Sequence, residues 1–377
     1  MKRDIKFNSF YSSSNYTKNL EKLFADYELF RQKHFSNQCI ELLKEDYPNS
    51  EILLTHSATG ALEMIALSLN LQEGDEIILP SFTFVSTANA FALRGAKLVF
   101  VDIEMDTLGI DPELVKVAIT EKTKAIVCVH YAGHACKIDE LVSIAKAHQL
   151  FLIEDAAMAF GSKHKGQALG TFGDFGVVSF DVTKHISASQ GGLLILNNKH
   201  YSLEINNSYH TGANRASFEK GAVPYYEWVS LGSKYQMPET NAVILFEQLR
   251  ESKAILSQLL ELSKHYHKLL QPLERGDTFV LMNKNNLEKN YHEFYLILPT
   301  KHQRIALAEH LKASGIEALF HYVPLHDSSF AQRKFQSPAL SNTSKISNTL
   351  LRIPLHTKMT IEDVKYICIE ILKFFKA

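Results

Sequence analysis

From about Glu51 to Asn197 the chain alternates short, continuous apolar runs with longer amphipathic ones. "EIILP" (76–80), "KLVFVDI" (97–103), "KAIVCVHY" (124–131), "LFLIEDA" (150–156), "FGVVSFD" (175–181) and "GGLLILN" (191–197) are rich in β-branched and aromatic residues. Runs of that length that do not alternate predict strands covered on both faces. Between them, "ATGALEMIALSLNL" (58–71), "STANAFALRG" (86–95) and "KIDELVSIAKAHQL" (137–150) carry helical spacing. Alternating strands and helices predict a mostly parallel, doubly wound α/β sheet. Ligands of such sheets sit beyond the carboxyl ends of the strands, so the residues just after each run are the candidates for chemistry.

The register changes near Ala242. Residues 241–274 form one long helical pattern with room for a single break. It is followed by "YHEFYLILP" (291–299), "RIALAEHLKASGI" (304–316), "EALFHYVPLH" (317–326) and "EDVKYICIEILKFF" (362–375), an α+β tail. The expected division is a large α/β domain over 1–245 and a small α+β domain over 246–377.

Composition narrows the function. The 377 residues hold 40 Lys+Arg against 41 Asp+Glu, with a pI near 7.0, which argues against nucleic acid or an anionic membrane as the main partner. No apolar stretch approaches the roughly 18–20 residues of a membrane span. The basic start "MKRDIKF" is not followed by the apolar core of a signal peptide. The four cysteines, at 39, 128, 136 and 368, make no CxxC pair, which fits reduced thiols and a cytoplasmic setting.

Six residues after predicted strands can carry chemistry. Asp155 ends "LFLIED", where a carboxylate can hold a cation, although it also fits a helix N-cap. Thr59 and Gly60 open the helix after the strand-like "EILLTHSA", and a helix start offers free N–H groups to an anion; capping by Ser57 or Thr59 is the plainer use. Ser179 and Lys184 lie in "SFDVTKHISASQGG", a strand leading into a loop. A lysine in solvent keeps a pKa of ~10.4, whereas burial or a nearby cation lowers it into the range that imine chemistry needs. Phe84, in "PSFTFVSTANA", can stack on a flat ring or pack in the core. His130, His134 and Cys136 invite a zinc reading, but a turn at Gly133 and the lack of a fourth ligand leave no metal expected. Together the six describe one ligand: a phosphate at a helix start, an aromatic ring under Phe84, a basic ring nitrogen at Asp155 and an aldehyde at Lys184. Pyridoxal 5′-phosphate has all four.

The motifs "SATGALEMIAL", "LPSFTFVSTANAFALRGAKLVFVD", "VHYAGHACKID", "IEDAAM", "SFDVTKHIS", "ANRASFEKGAVPYYEW" and "FHYVPLH" resemble the sugar aminotransferases of the DegT/DnrJ/EryC1/StrS family, most densely over 51–240. The branch they are most similar to is dTDP-4-amino-4,6-dideoxygalactose transaminase, through the 211–228 segment above all. The resemblance implies a type I (aspartate aminotransferase-like) fold, L-glutamate as amino donor, a dTDP-linked 4-keto-6-deoxy sugar as acceptor, surface polysaccharide synthesis as the context, and a homodimer with shared sites. It implies that Lys184 would form the imine and move the proton, and that Asp155 would keep the pyridine nitrogen protonated. Thr59, Gly60 and Ser179 would hold the phosphate, and Phe84 would lie on the ring. His321, Tyr322 and His326 would line the sugar or donor site, with Asn214, Arg215, Lys220 and Tyr226 at the nucleotide diphosphate.

The chain departs from the family pattern in four places. Met158 stands where a glutamine would donate to the cofactor's ring hydroxyl, which a thioether cannot do. Asp181, His185 and Gln190 replace residues of the usual "SFHETKN…EGG", "ADYELFRQKHFSNQ" lacks the usual glycines, and Gln236 replaces an asparagine. Two alternatives follow: a nucleotide-sugar dehydratase of the same family, against which Lys184 counts because that branch carries histidine there, and a catalytically altered protein that binds a nucleotide sugar or pairs with an active partner.

Overall fold

Twelve strands form three sheets in the computed structural model, which describes residues 3–282 and 288–376. In chain order they are β1 (Glu51–Thr55), β2 (Glu76–Pro80), β3 (Lys97–Val101), β4 (Thr123–Val129), β5 (Phe151–Asp155), β6 (Lys163–His164), β7 (Gln167–Ala168), β8 (Phe175–Ser179), β9 (Gly192–Leu196), β10 (Val280–Leu281), β11 (Phe294–Ile297) and β12 (Leu350–Ile353). The main sheet has the order β1-β9-β8-β5-β4-β2-β3, and within it only β9 runs against the others. This is the mostly parallel, doubly wound α/β sheet that the apolar runs predict.

Burial on both faces explains why those runs do not alternate. Ile77 and Leu79 of β2 pack with Ala61, Ile65 and Phe91 of the helices Ala58–Ser68 and Val85–Ala92. Ile78, between them, packs on the opposite face with Val115, Leu141 and Ile144 of the helices Pro112–Ala118 and Ile138–His148. Successive side chains of a strand point to opposite faces, so a sheet between two helical layers needs apolar residues at every position.

The carboxyl ends of β1, β2, β4, β5 and β8 therefore meet at one edge, together with the amino end of the reversed β9. Gly192 opens β9 there, and a Cβ on it would lie 2.4 Å from Ala58 N and 2.5 Å from Ser57 C. Only glycine lets β9 pass this close to the start of the helix Ala58–Ser68.

The long helical pattern resolves into two helices, Glu239–Arg250 and Ser252–Leu270, broken at Glu251. The first packs against the N-terminal helix His34–Leu43, the second against the C-terminal helix Ile361–Lys376. The second sheet, β10-β11-β12, is antiparallel throughout and sits among Ser252–Leu270, Lys301–Ala313 and Ile361–Lys376. Residues 317–326 form no strand. They touch β12 through one bridge, Leu319 to Arg352, and then cross to the main sheet, where Leu325 N donates to Ser81 O at 3.0 Å. That crossing brings the second sheet over the strand ends of the first. Among the described residues no helix is long and apolar enough to cross a membrane.

Candidate active site

A cavity of about 480 Å³ opens where the two sheets face each other. Its floor comes from the main sheet: Ser57 and Thr59 after β1, Phe84 and Thr87 after β2, Asp155 and Met158 after β5, and Ser179 and Lys184 after β8. Its roof is Glu293 beside β11, Arg352 on β12, and His321 and Tyr322 from the crossing segment.

Asp155 is the last residue of β5 and is 6% exposed. Its Oδ2 accepts from Thr87 Oγ1 at 2.6 Å and its Oδ1 from Ala157 N at 3.1 Å. Thr87 Oγ1 lies 2.9 Å from Thr83 Oγ1, so the carboxylate is held from two strand ends. Two donors leave it lone pairs for a third, and a cationic ring N–H suits a buried carboxylate.

The helix Ala58–Ser68 begins under Ser57, whose Oγ accepts from Gly60 N at 3.0 Å. Gly60 is thus capped by protein, while Ser57 and Thr59 face the cavity. Thr59 Oγ1 donates to Ser86 Oγ at 2.8 Å, tying this helix start to the next one. Ser179, 8% exposed, completes the corner from β8, and its Oγ accepts from Asp181 N at 3.3 Å. Hydroxyls around a helix N-terminus form an anion site. Phe84 precedes the helix Val85–Ala92 and leaves 55% of its surface uncovered, so a ring face is available at the cavity edge.

Lys184 sits in the loop between β8 and β9. Asp181 shapes that loop: its Oδ1 accepts from Thr183 N at 3.0 Å and Oγ1 at 2.7 Å, and its carbonyl accepts from Lys184 N at 2.9 Å. Asn8 Nδ2 donates to Thr183 O, so the N-terminal segment pins the loop from outside. The Lys184 ammonium is held below its ordinary pKa, chiefly by desolvation; Glu293 opposes the shift and Arg352 adds to it. An amine in that setting is a base and nucleophile nearer neutral pH.

The groups found at helix starts and strand ends fit pyridoxal phosphate on structural grounds. Hydroxyls of Ser57, Thr59 and Ser179 gather at a helix start, Asp155 retains acceptor capacity, and Lys184 enters the same cavity. Met158, 6% exposed, lines the cavity but brings no hydrogen-bond donor.

The other candidates fall elsewhere. The His326 ring turns away from the cavity: its Nδ1 and its backbone N meet Ser81 Oγ at 2.7 and 3.0 Å. Asn214, Arg215, Lys220 and Tyr226 stand on a lobe formed by residues 211–234, outside the cavity. That lobe leaves Trp228 77% and Tyr225 64% exposed. Asn214 braces it, accepting through Oδ1 from Glu227 N at 2.8 Å, and Arg215 pairs with Glu219 at 2.8 Å. Of the zinc candidates, His134 is replaced by Cys128: Cys128, His130 and Cys136 place ligand atoms within 4.8 Å of one another. Both His130 nitrogens are already engaged, Nε2 with Glu154 at 3.0 Å and Nδ1 with Cys136 N at 3.2 Å.

Sequence reasoning placed His321 and Tyr322 at the site but missed the other half of the roof. Glu293 and Arg352 form a buried ion pair at the cavity, and Arg352 also reaches His321 Nδ1. Beside them His185 Nε2–H donates to Phe160 O at 3.0 Å, so its Nδ1 accepts from His292 Nδ1–H at 3.2 Å. Burial drives the pKa of His185 down to about 4 and lowers that of His292, so the pair stays neutral beside Lys184. The signal was a charged residue inside an apolar run, Glu293 in "YHEFYLILP" and Arg352 in "LLRIPLH".

Residues 31–372 match the family described as the DegT/DnrJ/EryC1/StrS aminotransferase family. The chain is 33% identical over 333 residues, 86% of each chain, to the uncharacterized protein MJ1066 of Methanocaldococcus jannaschii. Among solved structures it is similar to Helicobacter pylori PseC, an aminotransferase involved in pseudoaminic acid biosynthesis, with a TM-score of 0.89, 23% identity, and 99% and 100% of the two chains covered. The PLP form of the putative sugar aminotransferase Spr1654 from Streptococcus pneumoniae gives 0.87 at 23% identity, covering 99% of each chain. E. coli GDP-4-keto-6-deoxy-D-mannose-3-dehydratase with bound hydrated PLP gives 0.85 at 20%, covering 98% and 100%. At these identities the structural likenesses speak for the fold.

Proposed function

Because the chain belongs to the DegT/DnrJ/EryC1/StrS aminotransferase family, whose enzymes use pyridoxal phosphate, we propose that it moves an amino group from L-glutamate to a nucleotide-linked 4-keto-6-deoxy sugar, with dTDP as the nucleotide. The observation that carries this reading is the desolvated Lys184 ammonium in one cavity with the Asp155 carboxylate. A dehydratase or an inert binder has no need of an amine held ready to lose its proton there.

Bound pyridoxal phosphate supplies an electron sink that acidifies the C–H bond next to a substrate nitrogen. The chain supplies the rest. Lys184 Nζ would bond to the aldehyde carbon and carry the proton. The Asp155 carboxylate would hold a proton on the ring nitrogen and so maintain the sink. Ser57 and Thr59 at the start of the helix Ala58–Ser68, with Ser179 at the end of β8, would hold the phosphate, and Phe84 would offer a ring face. His321 and Tyr322 line the sugar's side. His326 acts one step removed, holding the crossing segment on Ser81.

The 211–234 lobe supports a homodimer. A monomer seldom leaves neighbouring aromatic residues as open as Tyr225, Tyr226 and Trp228. A lobe carrying them with Arg215 and Lys220 suits a neighbouring subunit's cavity, where the cations would meet a diphosphate.

Incubating the protein with pyridoxal phosphate, L-glutamate and a dTDP-4-keto-6-deoxyhexose, followed by mass spectrometry, tests the reading. An aminated dTDP-sugar formed alongside 2-oxoglutarate supports it. Loss of water without amination points to the dehydratase, and unchanged sugar with bound cofactor rejects amino transfer.

A further inference from the structure

We propose that Glu293 and Arg352 are positioning residues that fix His321 as a neutral imidazole with its proton on Nε2, so that Nε2–H donates a hydrogen bond to an oxygen of the sugar. The inference rests on the functional reading above and assigns a task within it that the family match does not.

Arg352 is on β12 and is 7% exposed. Its guanidinium has a protein partner on each side: Nη2 meets the Glu293 carboxylate and Nη1 meets His321 Nδ1. A guanidinium only donates, so His321 Nδ1 is the lone-pair nitrogen and the ring proton resides on Nε2. Glu293 is 3% exposed and fixes the Arg352 head as Arg352 fixes the imidazole. The Phe7 ring closes one face of the guanidinium, 4.8 Å from Cζ.

The backbone holds the same arrangement. Leu319 and Arg352 exchange both hydrogen bonds, at 3.0 and 2.7 Å, two residues before His321. Tyr131 Oη donates to His321 O at 2.9 Å from the main sheet. The ring is therefore set from β12, from β11 through Glu293, and from the turn after β4. The charged groups around it are Arg352, Lys184 and Glu293. Burial, with the two cations Arg352 and Lys184, holds the His321 pKa down at about 4, so it is a donor and not an imidazolium acid at neutral pH.

The simpler use of an arginine in an aminotransferase cavity is to clamp the donor's carboxylate. Here both flanks of the guanidinium are already taken by protein, and its Nε is buried without a partner. A clamp would have to break the Glu293 pair and release His321.

The test uses holoenzyme with ¹⁵N-labelled histidine, in the wild type and the Arg352→Met variant. In the wild type the His321 resonance should report protonation at Nε2 and titrate near pH 4. In Arg352→Met the tautomers should mix and the midpoint should rise. Protonation at Nδ1, or a titration that Arg352→Met leaves unmoved, would overturn the proposal. The kinetic arm uses Glu293→Gln, His321→Phe and His321→Gln, each first confirmed to fold by its cofactor absorption band. Glu293→Gln and His321→Phe should raise the KM for the nucleotide sugar by about 10-fold, one hydrogen bond's worth. In both, the sugar half-reaction should fall further than the glutamate half-reaction, which Glu293→Gln also touches through the charge it removes beside Lys184, and His321→Gln, which keeps an N–H donor, should recover most of the loss. A glutamate half-reaction that falls as far as the sugar half in His321→Phe would sink the proposal. Failure of the wild type to aminate any sugar would reject the functional reading instead, and the NMR result would still decide the tautomer.

Discussion

The floor and the roof of the cavity are built by different rules. On the floor, each group stands within a few residues of its own strand end: Asp155 on β5, Ser179 and Lys184 after β8, Ser57 and Thr59 after β1. Local caps and turns, such as Ser57 on Gly60 and Asp181 on Thr183, hold them. On the roof, Glu293, Arg352 and His321 come from three separated stretches and are held by one another. A local floor that suits an invariant cofactor can persist while the roof changes with the substrate. On the proposed function, cofactor chemistry would fall to the main sheet and substrate choice to the second.

Substitutions that break the floor should have the largest effects. Lys184→Ala should lower amino transfer by about 10³-fold or more, since the proton carrier and the anchoring amine are lost together; product formation from glutamate and the sugar measures it, and retention of a tenth of the activity would refute the assignment. Asp155→Asn should reduce turnover by roughly 10–100-fold, the scale of a charge-assisted hydrogen bond. It should also lower the pKa of bound cofactor's ring nitrogen, read by spectroscopic titration, and an unchanged titration would show that Asp155 is only a cap for the turn at Ala157.

Met158→Gln sharpens the comparison in the other direction. It returns a donor to the floor and should tighten pyridoxal phosphate by roughly 2–10-fold, a neutral hydrogen bond's worth. The KM for the sugar should stay where it is. A cofactor affinity that does not move in equilibrium dialysis would mean the ring hydroxyl is satisfied by another group.

The smallest effect concerns pH and two neutral histidines, His321 of the roof and His185 beside Lys184. His185 and His321 are held at about 4 in the folded chain, by burial first, against about 6.5 when unfolded. Between those values the unfolded chain binds more protons, so stability rises with pH there. Their contribution is fully present above about 6.5 and is lost as pH falls toward 4. The urea midpoint should therefore be level above neutrality and decline below about pH 6.5; replacing His185 with asparagine should flatten part of that slope.

The fold was readable because burial on both faces leaves a strong mark: Ile77, Ile78 and Leu79 are all apolar because each face of β2 has its own helices. That Asp155, Ser179 and Lys184 would line one cavity was readable from their distance from a strand end, the place where an open α/β sheet binds ligands. The break at Glu251 fell inside the pattern read as one helix with room for a break, because the two halves keep helical spacing while packing on different partners. Glu293 and Arg352, the half of the roof that sequence reasoning missed, were hidden for a physical reason. Glu293 and Arg352 sit in runs that look like plain strands, and their meaning comes from pairing across β11 and β12, which no local pattern encodes. His326 misled in the opposite way, standing in a motif with His321 while its ring satisfies Ser81.

The most direct measurement is the visible spectrum of the purified protein with pyridoxal phosphate, taken in the wild type and in Lys184→Ala, before and after L-glutamate is added. The account predicts a visible band in the wild type that requires Lys184 and fades with glutamate as 2-oxoglutarate appears. A band equally strong in the variant, or one that glutamate leaves untouched, would contradict it.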